Sequence, residues 1–134
     1  MKALLLILAL AAIVSAQETL PDYGEITDLK GMSRVYVATD STDSRKWILD
    51  ELKKHPALKV EGSAEDADFI LECKETGKVV TSSTLIPEVP TFEMRAYTVK
   101  DGRRRIAWSR TKTSLRPAPK LLTGDFLKAF KKIK

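Results

Sequence analysis

The residues best suited to chemistry in this 134-residue sequence are a run of arginines, one histidine and one cysteine. Arg103, Arg104 and Arg105 stand together in the stretch KDGRRRIAWSRTK, close to Trp108. Arginine side chains pair with carboxylates and phosphates, so the run predicts an anion-binding surface if the three side chains converge. The alternative interpretation is the solvated tip of a β-hairpin, because an Asp-Gly pair between two strand-like runs is a strong hairpin signal.

The hairpin geometry limits what the arginines can do together. A two-residue turn at Asp101-Gly102 places Arg103 opposite Lys100 and continues the pairing along both strands. Side chains alternate between the faces of a strand, so Arg103 and Arg105 point one way and Arg104 the other. Three consecutive arginines on a strand therefore do not form one flat clamp.

The hairpin strands are expected to be partly apolar on both faces. At period two, one face holds Tyr97, Val99, Ile106 and Trp108. The other face holds Phe92, Met94, Ala96 and Ala107. Trp108 is accordingly interpreted as a packing residue and not as a platform for stacking a ligand.

The single His55 and the single Cys73 exclude most familiar catalytic sites. One histidine and one cysteine cannot build a Cys/His zinc site within the chain, and any nucleophilic triad would have to use His55. His55 stands between Lys54 and Pro56, where a cation suits the end of a helix. Cys73 ends the strand-like ADFILEC and is expected in the core as a small apolar residue. The acidic residues fit no calcium loop, so the sequence predicts no metal, no cofactor and no enzymatic activity.

The first sixteen residues predict a signal peptide, residues 1–16. Lys2 is followed by an apolar run from Ala3 to Val14, and small residues precede Gln17, where cleavage is expected. The run is shorter than the ~20 apolar residues that cross a bilayer. We therefore predict an exported protein, periplasmic or extracellular, with no transmembrane segment after signal removal and no nucleic-acid partner.

Residues 17–31 predict a polar leader, with Ile26 and Leu29 the candidates for docking on the domain, and residues 32–134 predict a single domain. Charge is divided unevenly along this length. Residues 17–93 hold 9 Lys and Arg against 16 Asp and Glu, whereas residues 94–134 hold 13 against 2. Such asymmetry indicates either an anionic partner or two halves that meet in the folded chain.

Strand and helix patterns predict an α+β domain. Apolar alternation marks five strands in SRVYVATD, ALKVEG, ADFILEC, TFEMRAYTV and RRRIAWSRT. A helix over residues 42–54 begins after a cluster of Asp, Ser and Thr and ends at Pro56, and a second helix is predicted over residues 123–132. The expected order is β-α-β-β, then a hairpin and a C-terminal helix. Both helices are expected on one face of a mixed sheet of about five strands, while residues 74–90 read as an excursion or irregular strand.

The stretches LKGMSRVYVATD and RKWILDELKKHPALKVEGSAEDADFILECK resemble small exported bacterial α/β domains of uncharacterised function. They are more distantly similar to the TolB amino-terminal domain and to the lipoprotein activators of penicillin-binding proteins. The resemblance covers residues 29–74 and consists of packing positions, so it implies an envelope protein that works by contacts. The chain lacks the lipidated cysteine of the lipoprotein members.

Two functions remain open from the sequence. The first is a non-catalytic protein-interaction module of the bacterial cell envelope that binds another envelope protein through a sheet edge or residues 74–90. The alternative is a module that binds an anionic envelope polymer or lipid head groups through the basic hairpin. The candidate anion-binding residues are Arg103, Arg104, Arg105, Arg110, Lys112 and Arg116.

Overall fold

A computed structural model describes residues 20–82, 84–85 and 88–133 of the chain. The predicted signal peptide lies outside these residues. Two α-helices and two short 3-10 turns, Ile26–Leu29 and Ala64–Asp66, accompany the strands. The strands are β1 (Asp22–Tyr23), β2 (Arg34–Ala38), β3 (Lys59–Val60), β4 (Phe69–Val80), β5 (Glu88–Lys100) and β6 (Arg103–Thr113), and the helices are α1 (Thr42–Leu52) and α2 (Ala118–Lys131).

The strands form one mixed sheet in the order β1-β6-β5-β4-β2-β3. The pairs β4–β5 and β5–β6 are antiparallel, while β1 pairs with β6, and β2 with both β3 and β4, in parallel. The predicted α+β class is confirmed. The sheet has six strands instead of about five, because β1, only two residues long, carries no apolar pattern that sequence reasoning can detect.

The main core lies between the sheet and both helices, as predicted. Apolar residues of β2, β4 and β5 face the buried stripes of α1 and α2 across this layer. Cys73 is 1% exposed and belongs to this core. Its largest buried members include Phe69, Phe126, Leu29, Ile48, Leu52, Leu71, Met94 and Leu122.

The N-termini of the two helices differ in how well the sequence predicts them. Ser41 caps α1, and its hydroxyl accepts a hydrogen bond from the Ser44 N–H at 3.3 Å. Helix α2 begins at Ala118, five residues before the predicted start, because Pro117 and Pro119 occupy first-turn positions where no N–H is needed. The predicted cap, Thr123, is instead fully buried inside the helix, and its hydroxyl donates to the Pro119 carbonyl at 2.7 Å.

The turn of the β5–β6 hairpin agrees with the prediction, whereas the face predicted for Trp108 does not. Asp101 and Gly102 both have positive φ, as a tight two-residue hairpin turn requires. The register shifts between Ala96 and Tyr97, so that Ala96 pairs with Trp108 and Tyr97 with Ile106. The expectation that Trp108 shares a face with Tyr97 and Ile106 is wrong, since this bulge at Ala107 moves Trp108 to the core side.

Of the two alternatives predicted for residues 74–90, an excursion or an irregular strand, the described residues favour the strand. Strand β4 continues to Val80 and β5 begins at Glu88, with a register shift between Glu75 and Gly77. No helix in the described part of the chain is long and apolar enough to cross a membrane.

Candidate functional site

The arginine run lies at the start of β6 and is divided between the two faces of the hairpin. Lys100 pairs with Arg103, Val99 with Arg104 and Thr98 with Arg105, which is the register expected from the sequence. Arg103 and Arg105 reach the N-terminal segment, and Arg104 reaches Tyr97 on the other face.

Arg103 and Arg105 form ion pairs with carboxylates of residues 22–29, the N-terminal segment. Arg103 Nη2 donates to Asp22 Oδ1 at 2.9 Å, and Arg105 Nε donates to Asp28 Oδ2 at 2.8 Å. The hydrogen bond from Arg105 lowers the pKa of Asp28, and the Glu25 N–H lowers it further. These contacts join the acidic first half of the chain to its basic second half.

Backbone contacts complete the docking of the N-terminal segment. The Gly24 N–H donates to the Ile106 carbonyl at 2.8 Å, and Leu29 is fully buried in the main core. A Cβ atom at Gly24 would overlap the Asp28 carboxylate and the Arg105 guanidinium, so a larger residue here would displace this ion pair. The segment predicted as a leader is therefore part of the folded sheet from Asp22 onward.

The other candidate anion-binding residues are dispersed. The Arg104 guanidinium lies over the Tyr97 ring, 5.7 Å from its centroid, in a cation–π contact. Arg110 and Lys112 both pair with Asp125 of α2, at 3.3 and 2.9 Å. Arg116 is exposed between β6 and α2. The six residues do not converge on one site, and four of them pair with carboxylates of the same chain.

A second surface is formed where β4 and β5 leave the domain. Strand β6 ends at Thr113, opposite Thr91, and β2 pairs with β4 only as far as Glu72. We call residues 77–82, 84–85 and 88–90 the arm. Beyond the backbone hydrogen bond from Ser114 to Pro90 at its base, the two described strands of the arm pair with each other over roughly 10 Å at ~3.3 Å per residue.

The arm is held together by cross-strand contacts but presents apolar side chains to solvent. Val79 pairs with Val89, and Lys78 Nζ lies 3.6 Å from Glu88 Oε2. Val79 is 49% exposed, Val80 77% and Leu85 91%. Consecutive strand residues face opposite ways, so Val79 and Val80 make both faces of the arm apolar.

The apolar surface continues at the base of the arm. The Ser114 N–H donates to the Pro90 carbonyl at 3.3 Å, which places Leu115, 62% exposed, beside β5. A shallow cleft of about 360 Å³ lies between Pro90, Leu115 and Trp47. The sequence predicted residues 74–90 as a contact segment but not that Leu115 extends the apolar surface. The position of this apolar residue between two polar ones was the available sequence signal.

The sheet face opposite the helices carries a smaller apolar cluster. Ile70, Tyr97 and Ile106 are its buried members, and Tyr36 and Ala38 pack against them. Burial raises the pKa of Tyr97, with a further contribution from the Glu72 carboxylate. Arg45 lies over Tyr36 at 5.9 Å and donates to the Val37 carbonyl, which covers part of the exposed edge of β2.

The residues considered for catalysis lie apart and are buried. Burial raises the pKa of the Cys73 thiol to about 12, and the carboxylates of Asp40 and Glu72 add to the rise. His55 is 6% exposed and packs edge-on against Phe130, with ring centroids 5.7 Å apart, instead of standing free at the helix end. Within the described residues, no three His, Cys, Asp or Glu side chains are grouped to hold a metal ion.

No protein-family model matches the sequence, and a search of curated proteins finds no match. Solved structures of similar fold do exist. The PelC dodecamer from Paraburkholderia phytofirmans is 15% identical, with 84% of this chain and 94% of that chain covered and a TM-score of 0.46.

Two lipoprotein structures are also similar. Uncharacterized lipoprotein B from Nitrosomonas europaea is 12% identical over 87% of this chain and 85% of its own, with a TM-score of 0.39. Lipoprotein GNA1162 from Neisseria meningitidis is 12% identical over 75% of this chain and 99% of its own, with a TM-score of 0.35. These likenesses are too distant to carry an inference about function, and the similarity to the TolB amino-terminal domain stays a prediction.

Proposed function

We propose that the chain is a non-catalytic, exported protein-interaction module of the bacterial cell envelope, and that the arm and its base contact the partner. The observation that carries the proposal is the exposure of Val80 and Leu85, 77% and 91%, on a ribbon of two strands. Export rests on the signal peptide predicted for residues 1–16.

A partner would add apolar packing contacts to the arm. A two-stranded ribbon is marginally stable in water by itself, because few contacts offset its conformational entropy. Covering exposed apolar surface contributes about 25 cal/mol per Å². A partner that buries Val79, Val80 and Leu85 would therefore stabilise the arm and the complex together.

The environments of Cys73 and His55 support a non-catalytic role. A cysteine nucleophile must form a thiolate, and a pKa of about 12 leaves Cys73 protonated near neutral pH. Its side chain is also 1% exposed, out of reach of a substrate. His55 is 6% exposed and packs edge-on against the Phe130 ring.

The anion-binding alternative has less support from the geometry. Carboxylates of the chain already lie within 3.3 Å of Arg103, Arg105, Arg110 and Lys112. An external anion must compete with these carboxylates, which lowers the gain in free energy on binding. Arg104 and Arg116 form no ion pair with another described residue, but they lie at opposite ends of β6.

The experiment measures binding of the chain from Gln17 onward to isolated bacterial envelopes, before and after protease treatment of the envelopes. We expect Val80→Lys combined with Leu85→Lys to reduce binding at least tenfold. Val99→Lys is the control, because Val99 is 55% exposed at the end of β5 that lies opposite the arm. Binding should also disappear after protease treatment and change little between low and physiological salt.

A second pair of substitutions tests the anionic alternative in the same assay. Arg104→Ser with Arg116→Ser removes two candidate residues without breaking an ion pair to a described residue. Binding that survives protease, falls steeply with salt and is lost in this double variant would overturn the proposed function. Screening over a Debye length of ~8 Å is the physical basis of that salt dependence.

A further inference from the structure

A pocket at the C-terminal end of α2 lies outside the arm and outside the basic hairpin. It has a volume of about 360 Å³. Leu29, His55 and Phe130 form its floor and are 0%, 6% and 9% exposed. Met32 and Ile133, each partly buried, form its sides. The pocket is therefore an apolar concavity that opens to solvent beside the last turn of α2.

The lining of the pocket carries a positive charge. Lys30 lines the opening, and no Asp or Glu is among the described residues that line it. Lys131 and Lys132 are exposed in the last turn of α2, next to Ile133. None of these three lysines forms an ion pair with another described residue, in contrast to Arg103 and Arg105.

Carboxylates near the pocket-lining residues already have partners within the chain. Asp28 pairs with Arg105, and Asp68 accepts hydrogen bonds from the Ser33 and Arg34 N–H groups at 3.0 Å. Glu51 lies 2.9 Å from Lys54. The cations at the opening are therefore left to interact with an external anion.

We infer that this pocket binds a single aliphatic chain that carries an anionic head group. The apolar floor and sides accept the hydrocarbon, because burying each methylene contributes about 0.8 kcal/mol. Lys30, which lines the pocket, attracts the head group at the solvent side. The volume lies near the lower limit of ligand pockets, ~300 Å³, which fits one chain and leaves the head group outside.

This inference goes beyond the proposed function, since it concerns a different surface and a small amphiphile. The ligand chemistry has two sources, a free fatty acid or a lipid with one acyl chain and an anionic head. Decanoate represents the free fatty acid, and lysophosphatidylglycerol represents the lipid. Decanol and lysophosphatidylcholine are their respective controls, because neither carries a net negative charge.

The test is calorimetric titration of the chain from Gln17 onward with each probe below its critical micelle concentration. We expect at least one anionic probe to bind, and we expect its uncharged or zwitterionic counterpart to bind more weakly. Lys30→Glu should weaken the anionic probe about fivefold or more, as the loss of one ion pair at a surface predicts, and should leave decanol unchanged. Lys100→Glu, at the exposed hairpin tip, is the matched charge control.

Further results decide against the inference. No binding of either anionic probe would overturn it, as would equal weakening by Lys30→Glu and Lys100→Glu. Ile133→Glu, a partly buried position, should abolish binding while circular dichroism shows a folded chain. Sedimentation tests the other occupant: dimers of the free chain that Ile133→Glu dissociates would show that a second copy covers the pocket, and would overturn the ligand assignment.

Discussion

The Arg105 guanidinium donates a 2.8 Å hydrogen bond to the Asp28 carboxylate and so joins residues 77 positions apart in the chain. Together with the Arg103–Asp22 pair, it fixes β1 and the following 3-10 turn against β6. The most conspicuous arginines of the sequence therefore have an internal partner. Because these arginines already pair within the chain, the arm is a better candidate for the contact surface than the basic hairpin.

The first prediction concerns the pH dependence of this contact. Arg105 and the Glu25 N–H lower the pKa of Asp28 below its ordinary value of 3.8. A lowered folded pKa contributes stability that is present above the unfolded value and is lost as pH falls through the folded value. We expect Asp28→Asn to unfold at lower urea concentration than the original chain at pH 7. The two should converge as the pH falls below 3.8, and a difference that persists unchanged at pH 2 would contradict the assignment.

The second prediction concerns the core under α2. Phe126 is fully buried, with its ring centroid 5.3 Å from Trp108 and 5.8 Å from Phe69. Phe126→Ala should lower the free energy of unfolding by about 3–5 kcal/mol, from lost burial and the cavity left behind. Urea denaturation followed by Trp fluorescence measures it. Leu115→Ala is the control, and it should change stability by less than about 0.5 kcal/mol because Leu115 is 62% exposed.

Helix α1 and the hairpin turn were predictable because their signals are local. Ser41 caps the helix three residues before Ser44, and Asp101-Gly102 supplies the two positive φ values of a tight turn. The predicted Trp108 face failed because one extra residue at the bulge inverts every side chain beyond it, and period-two counting has no signal for such an insertion.

Strand β1 and the start of α2 could not be predicted from the local sequence. Strand β1 is stabilised by Arg103 and Arg105, about eighty positions away, and its own residues, Asp22 and Tyr23, have no strand pattern. Pro117 and Pro119 at the start of α2 are ambiguous in the sequence, because proline ends a strand and is also suited to the first turn of a helix. The division of Arg103 and Arg105 from Arg104 between the two faces followed from the hairpin register, but the carboxylate partners Asp22 and Asp28 could be known only from the folded chain.

The third prediction concerns the reactivity of Cys73. Burial raises the pKa of its thiol to about 12, so the thiolate is scarce at neutral pH and the sulfur is covered. We expect an aromatic disulfide reagent at pH 8 to release no chromophore from the native chain within minutes. One equivalent should appear in denaturant, and rapid stoichiometric release without denaturant would show that Cys73 is accessible.

The fourth prediction concerns Asp125, which holds Arg110 and Lys112. Burial raises the pKa of Asp125, but the hydrogen bonds from Lys112 and Arg110 outweigh that effect and the net shift is downward. Asp125→Asn should free both cations and increase retention on immobilised heparin at low salt. Asp43→Asn makes the same change in net charge on α1, away from the basic residues of β6. Equal retention of the two variants would show that Asp125 does not restrain these cations.

Site-directed photocrosslinking determines whether the arm contacts a protein partner. Val80→Cys and Val99→Cys each provide one accessible thiol for a benzophenone maleimide, because Cys73 is buried. Each labelled chain is irradiated in the presence of solubilised envelope proteins. We expect one discrete adduct from position 80, lost when Leu85→Lys is added, and no such adduct from position 99. The same adducts from both positions, or none from position 80, would contradict this contact.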